Sequence, residues 1–194
     1  MLSHLKNYTI ILASQSPRRQ ELLSGLNIPF EVKVIDVEET YPRELVGVDI
    51  PMYLAEKKAN AYLEIMDENT LLITADTIVW HEGKVYNKPK DKAEATAMLK
   101  ALSGKTHQVI TGVCLCTKTK RKVFHVMSEV RFARLSPQEI SYYLENYEPY
   151  DKAGAYGVQE WIGYIGVEFI EGSYFNVMGL PIQRLYNELK RWKV

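Results

Sequence analysis

Cysteine is nearly absent from this chain: Cys114 and Cys116 are the only two. One residue apart in a strand-like run, they face the same side, a spacing poor for a disulfide and at best half a metal site. They read as reduced, buried thiols. With only four histidines besides, no His/Cys set has zinc spacing. Net charge is absent too, with 24 Lys plus Arg against 24 Asp plus Glu, so there is no general electrostatic footprint for nucleic acid or an anionic membrane. No apolar run approaches the ~20 residues that span a bilayer. Residues 1–8 lack the apolar region of a signal peptide. The expectation is a cytoplasmic protein that binds neither nucleic acid nor membrane. The chain has no internal repeat, low-complexity tract or linker, and no Gly-x-Ser-x-Gly stretch or Ser/His/Asp set suggests acyl transfer.

What is present is a globular pattern. Hydrophobic residues make up 46% of the chain, enough for one domain over residues 1–194 with a sizeable core, in two lobes. Tyr8–Ala13 reads as a buried strand, Pro17–Leu26 as a helix and Phe30–Ile35 as a second strand. The acidic loop 36–40 leads to a helix that begins at Asp49 or Ile50 and runs to about Met66. Leu71–Trp80 is the most apolar stretch, a central strand with the tight turn 81–84 after it. A helix opened by Asp91 runs to Leu102. Gln108–Thr117 and Lys122–Arg134 make a hairpin, and a capped helix runs from Ser136 to about Tyr147. A small-residue loop, 149–159, precedes the β-rich run Trp161–Ile170. Residues 172–181 read as a loop and Ile182–Trp192 as the last helix. Hairpins mixed with helices predict an α/β fold with a mixed, strongly twisted β-sheet flanked by helices. Gly104-Lys105-Thr106 is not a P-loop, because it ends a helix and precedes a strand and lacks the upstream glycine.

Several charges in this pattern lack an ordinary explanation. Ser16 suits an N-cap and Pro17 the first helical position. Arg18 and Arg19 then crowd the positive end of the helix, where each costs about 0.3–1 kcal/mol. Either they are solvated arginines on an ordinary capped helix, or they form an anion seat with Ser14 and the free backbone N–H groups. Lys58, beside the apolar stripe of its helix, either snorkels to water or points into a cleft. Asp76 interrupts the central strand, where a carboxylate is unfavourable unless paired, hydrogen-bonded or metal-bound. A local turn that brings it to water is the alternative. Lys88 by itself reads as a loop lysine. Together, the cations Arg18, Arg19, Lys58, Lys88 and Lys152 with the carboxylates Glu38, Glu39 and Asp76 suit a polyphosphate carrying a divalent metal. The residues alone reach as far as a phosphate-ester enzyme.

The stretch Ala13-Ser14-Gln15-Ser16-Pro17-Arg18-Arg19, with Glu21-Leu22-Leu23, resembles the opening signature of the Maf-like nucleoside triphosphate pyrophosphatases. The resemblance continues in residues 54–59, Ala75-Asp76-Thr77-Ile78-Val79, Lys88-Pro89, residues 102–109, Thr111-Gly112-Val113, residues 151–159 and residues 172–181, in family order over nearly the whole chain. It implies the Maf and inosine triphosphatase-like fold, two lobes around a central cleft. It also implies hydrolysis of a nucleoside triphosphate to the monophosphate and pyrophosphate, with Mg²⁺ or Mn²⁺ as cofactor. The matching positions imply Asp76 as the proton acceptor. Ser14, Arg18, Arg19, Lys58 and Lys88 would bind phosphate, with Glu39 and Asp76 on the metal. Arg18, Thr77 and Gln159 fall at positions tied to substrate choice. That combination resembles the branch acting on dTTP and UTP, whereas the 7-methyl-GTP branch typically has Trp, Gln and Glu there. Glu160 departs from the family, in which a glycine commonly follows the glutamine. The analogy further implies a homodimer and a housecleaning role on modified pyrimidine nucleotides. A non-catalytic nucleotide-binding regulator of cell division on the same scaffold is the alternative, disfavoured by the retained Asp76, Lys58 and Lys88.

Overall fold

The computed structural model describes residues 2–193, so the first and last residues of the expected 1–194 domain lie outside the described residues. The chain forms two compact units. The first comprises the residues up to Asp76, Thr111–Val126 and those from Gly179 on; the second comprises Thr77–Ile110 and Met127–Met178. The expected two lobes correspond to these units.

Among the described residues, seven strands make one mixed sheet: β1 (Thr9–Leu12), β2 (Glu31–Val32), β3 (Thr70–His81), β4 (Lys84–Tyr86), β5 (Thr106–Cys116), β6 (Arg121–Phe132) and β7 (Val167–Glu171). Their order is β2-β1-β3-β5-β6-β7, with β4 beside β3. Strand β1 runs parallel to β2 and β3, whereas β4 is antiparallel to β3 and β7 to β6. The helices are α1 (Pro17–Ser24), α2 (Asp49–Asn60), α3 (Lys92–Leu102), α4 (Pro137–Tyr147), α5 (Trp161–Gly166), α6 (Tyr174–Met178) and α7 (Ile182–Arg191). None of them is long and apolar enough to cross a membrane.

In the first unit, Ala55, Ala59, Tyr62 and Met66 pack on Ile11, Leu72, Cys114 and Cys116. Both thiols are free and buried, as expected. Gly112 lets the start of α2 dock on β5: a Cβ there would lie 2.3 Å from the carbonyl carbon and oxygen of Pro51. Two expectations change. Strand β2 is the two exposed residues Glu31–Val32 rather than Phe30–Ile35. Helix α2 stops at Asn60 rather than Met66. Beyond it the backbone bonds tighten to i−3, as in Tyr62 N–H to Ala59 O at 3.1 Å and Leu63 N–H to Asn60 O at 3.3 Å.

In the second unit, α3 and α4 bury Leu99, Leu102, Ile140 and Tyr143 against Val79, Phe132, Tyr156 and Ile162. Helix α4 has the capping box read from Ser136 and Glu139. The run Trp161–Ile170 is not a continuous strand: its first six residues form α5 and only Val167–Glu171 is β7. The cause is close packing. A Cβ on Gly163 would lie 1.9 Å from Val158 O, so the chain coils tightly against residue 158 and overrides its β-branched and aromatic propensity. The expected loop 172–181 contains α6, tied in place by buried Asn176, whose amide donates to Val109 O at 3.1 Å and Ser128 Oγ at 3.0 Å.

Candidate active site

In the first unit a single ammonium joins two acids. Lys58 Nζ lies 2.6 Å from Asp76 Oδ1 and 2.7 Å from Glu39 Oε1. Two periodicities deliver this meeting. Thr74 and Asp76 alternate onto one face of β3, and Ala55 and Lys58 share one face of α2. Thr74 Oγ1 donates to Ala55 O at 2.6 Å, which locks the two elements together and brings the ammonium to the carboxylate. Asp76 therefore stays inside a regular strand, 6% exposed. It reaches no water through a turn, and Lys58 does not snorkel.

Glu39 comes from an irregular loop that α2 holds from two points. Lys57 Nζ donates to Thr40 O at 2.9 Å and to Thr40 Oγ1 at 2.8 Å. Tyr62, just past the helix, donates its hydroxyl to Lys33 O at 2.8 Å and accepts from Ile35 N–H at 2.7 Å. Adjacent lysines thus serve one loop, Lys57 by its backbone and Lys58 by its acid.

The start of α1 is the third component. Ser16 caps the helix, its Oγ accepting from Arg19 N–H at 3.4 Å, with Pro17 at the first position. Buried Ser14 accepts from Ser16 N–H at 3.2 Å. Arg19 is not a solvated arginine. Its Nε donates to Gly179 O at 2.8 Å and its Nη1 to Ala75 O at 2.9 Å, with Ser14 Oγ 3.5 Å away. Burial pulls its pKa below the usual range, and Asp76 and Glu39 oppose that pull; the guanidinium keeps its charge. Arg19 thus ties α1 to the residue before Asp76. Arg18 lies beside it, half-buried.

Glu39 and Asp76 also fit a divalent cation. Among the described residues no three His, Cys, Asp or Glu side chains converge as a ready-made metal cage. Magnesium characteristically takes one or two carboxylates and completes its shell with water and substrate phosphate. Two acids already gathered on one positive charge are such a set.

The remaining expected residues belong to the second unit. Thr77 is half-buried in β3, and Lys88 is exposed beyond β4. Gln159 is half-buried in a turn after Tyr156, with its Oε1 buried and unbonded. Such an orphaned acceptor costs about 1–3 kcal/mol until a donor reaches it. Lys152 is 8% exposed, with its ammonium 2.6 Å from Asp151 and 3.0 Å from Glu160. The Glu160 carboxylate also accepts from Tyr143. Sequence reading missed this network, although Glu160 marked it as the departure from the family pattern. A cavity of about 240 Å³ in this unit, lined by His81, His107 and Glu129 among others, contains none of the expected site residues.

The family model described as Maf-like protein matches residues 9–192. This chain belongs to the Maf-like family. Its relatives in that family include a dTTP/UTP pyrophosphatase of Parabacteroides distasonis, 60% identical over 193 residues, covering 99% of this chain and all of the relative. A dTTP/UTP pyrophosphatase of Bacteroides fragilis is 58% identical over 192 residues, covering 98% of this chain and all of the relative. Among solved structures, the Ham1 protein of Staphylococcus aureus superposes with a TM-score of 0.53 at 17% identity, covering 93% of this chain and 99% of that one. At that identity the likeness is one of fold, which is the one the Maf resemblance implies.

Proposed function

We propose that this Maf-family chain is a nucleoside triphosphate pyrophosphatase that converts dTTP and UTP, with modified pyrimidine nucleotides, to the monophosphate and pyrophosphate. The observation that carries the reading is the cluster of Asp76 and Glu39 on Lys58. The names of relatives near 60% identity support it.

Water attacks the α-phosphorus and Asp76 accepts its proton. The bond from the α-phosphorus to the bridging oxygen breaks, and pyrophosphate leaves with the electron pair. Lys58, Arg18, Arg19 and Lys88 neutralise phosphate oxygens as charge builds on the leaving group, and Ser14 offers a hydroxyl to them. Glu39 and Asp76 would hold a Mg²⁺ or Mn²⁺ ion, which supplies further neutralisation and lowers the pKa of water. Arg18, Thr77 and Gln159 select the base. A glutamine amide presents a donor and an acceptor side by side, which match O4 and N3–H of uracil or thymine.

Both units serve one domain in this reading, acting in the cytoplasm as a homodimer. Exposed Tyr164, Phe169, Tyr174 and Phe175 of the second unit offer apolar surface for a second copy. The deciding experiment is a panel of nucleotides at equal low concentration, with pyrophosphate release followed with Mg²⁺, with Mn²⁺ and with chelator. Release is expected from UTP and dTTP and stops with chelator. Asp76→Asn is expected to bind UTP and release nothing; an unchanged rate would overturn the assignment.

A further inference from the structure

One tyrosine closes the turn that carries Gln159. Tyr143, buried on α4, uses its phenol oxygen twice. It accepts from Gly157 N–H at 2.9 Å and donates to the Glu160 carboxylate. Burial and the bond to Glu160 push the phenol pKa up, so it remains a donor. Within the turn, Glu160 N–H donates to Gly157 O at 3.0 Å. The second carboxylate oxygen of Glu160 meets Lys152 Nζ at 3.0 Å. Gly157 leaves the space for this grip, because a Cβ there would lie 2.7 Å from Glu160 Cδ. Both ends of the turn are fixed to one phenol, and Val158 and Gln159 are held between them.

A glutamine amide is ambidextrous: turned over, it presents its donor where its acceptor was. Uracil offers N3–H and O4, whereas cytosine offers the reverse pair, N3 and N4–H. Gln159 alone could therefore serve either base, and preference requires a fixed amide. In this turn Oε1 is buried and has no hydrogen-bond partner within the protein. Turning the amide over would place two N–H donors there in place of one acceptor. That difference holds only while the backbone of the turn stays in place.

The structure assigns Glu160 the part of a positioning residue: through Tyr143 and Lys152 it fixes the Gln159 amide, and so sets the preference for uracil and thymine over cytosine without touching the base. This inference rests on the function proposed above. It also gives the departure from the family pattern a physical role.

The test compares kcat and KM for UTP and CTP in the wild type, Glu160→Ala, Tyr143→Phe, their double variant and Glu160→Gln. Glu160→Ala and Tyr143→Phe are expected to lower the UTP/CTP ratio of kcat/KM by about tenfold or more, through KM for UTP, with kcat changing less than about threefold. The double variant should be no worse than the poorer single one, because both changes open the same turn. Glu160→Gln keeps the volume and an acceptor for Tyr143, and should retain most of the preference. A ratio unchanged in Glu160→Ala, additive effects in the double variant, or a parallel loss of kcat for both nucleotides overturns the inference. A wild type that releases pyrophosphate from no nucleotide overturns the proposed function and this inference with it. A wild type that prefers UTP, with Glu160→Ala keeping that preference, overturns the inference alone.

Discussion

Lys58 Nζ lies 2.6 Å from Asp76 Oδ1, and the lysine retains 16% side-chain exposure against 9% for the aspartate. Removing the ammonium leaves a charge on a strand with almost no access to water. Breaking a fully buried pair costs about 3–5 kcal/mol, and the remaining exposure of Lys58 places this one at or just below the bottom of that range. Lys58→Met is expected to lower the unfolding free energy in urea by about 2–3 kcal/mol at pH 7. Asp76→Asn in the same chain should restore much of it, since the orphaned charge is then gone. Under the proposed function both variants should lose pyrophosphate release. A divalent cation should raise the midpoint of Lys58→Met more than that of the wild type, because it replaces the missing positive charge between Asp76 and Glu39. Equal shifts would argue against the two-carboxylate site.

How much of this was legible in the sequence depends on the range of the interaction. Local rules carried the caps at Ser16 and Ser136, the turn after His81 and the central strand around Asp76. A carboxylate in that strand announced that something must answer it, but only the lock between Thr74 and Ala55 says that Lys58 does. Arg19 read as an awkward charge at a positive helix end. Its real partners, Gly179 and Ala75, are distant in the chain. The α5 segment failed for the same reason: its residues favour a strand, and the close approach of Gly163 to Val158 decides otherwise. Lys152 looks like a free cation in the sequence, and only the fold brings its ammonium onto Asp151 and Glu160.

Gly112 is a position where substitution should harm the first unit. A Cβ 2.3 Å from the Pro51 carbonyl cannot be met by turning a side chain, because both contacts are backbone. Either β5 or the first turn of α2 must move. Gly112→Ala is expected to lower stability by about 1–3 kcal/mol, the usual range for overpacking, or more. Since α2 also carries Lys58, kcat should fall with stability, even at temperatures where the variant remains folded. Thermal unfolding and steady-state rates measured together check this. A variant with wild-type midpoint would mean that α2 does not seat on β5 this tightly.

Gln159→Glu tests the base-reading residue directly. Replacing the amide by a carboxylate removes the donor and keeps acceptors, which no longer complement O4 of uracil. UTP and dTTP turnover is expected to fall by about 10²-fold or more in kcat/KM, since a buried polar group of the substrate is left unpaired. The ratio of UTP to 7-methyl-GTP hydrolysis should move towards the latter. If that ratio stays at the wild-type value, Gln159 does not read the base.

His107 supplies a pH signature independent of catalysis. It lies buried on β5, with Nε2 2.7 Å from the Tyr156 hydroxyl and its ring edge-on to Phe132 and Tyr156. Burial first, and His81 second, push its pKa down from 6.5 to about 3. Between these values the unfolded chain binds a proton that the native chain does not. Stability from this group is therefore complete above about pH 6.5 and is lost as pH falls towards 3, with a slope of at most ~1.4 kcal/mol per pH unit. Acidic groups add their own slopes, so the informative quantity is a difference. Urea unfolding of the wild type and of His107→Gln between pH 4 and 7 should give curves that diverge, the wild type gaining about 1 kcal/mol more per pH unit between pH 4 and 6. The glutamine cannot titrate and can still donate to or accept from Tyr156, so its curve keeps only the slope of the other groups. Parallel curves would show that His107 binds its proton equally in both states, and that its buried ring is not what makes the fold sensitive to acid.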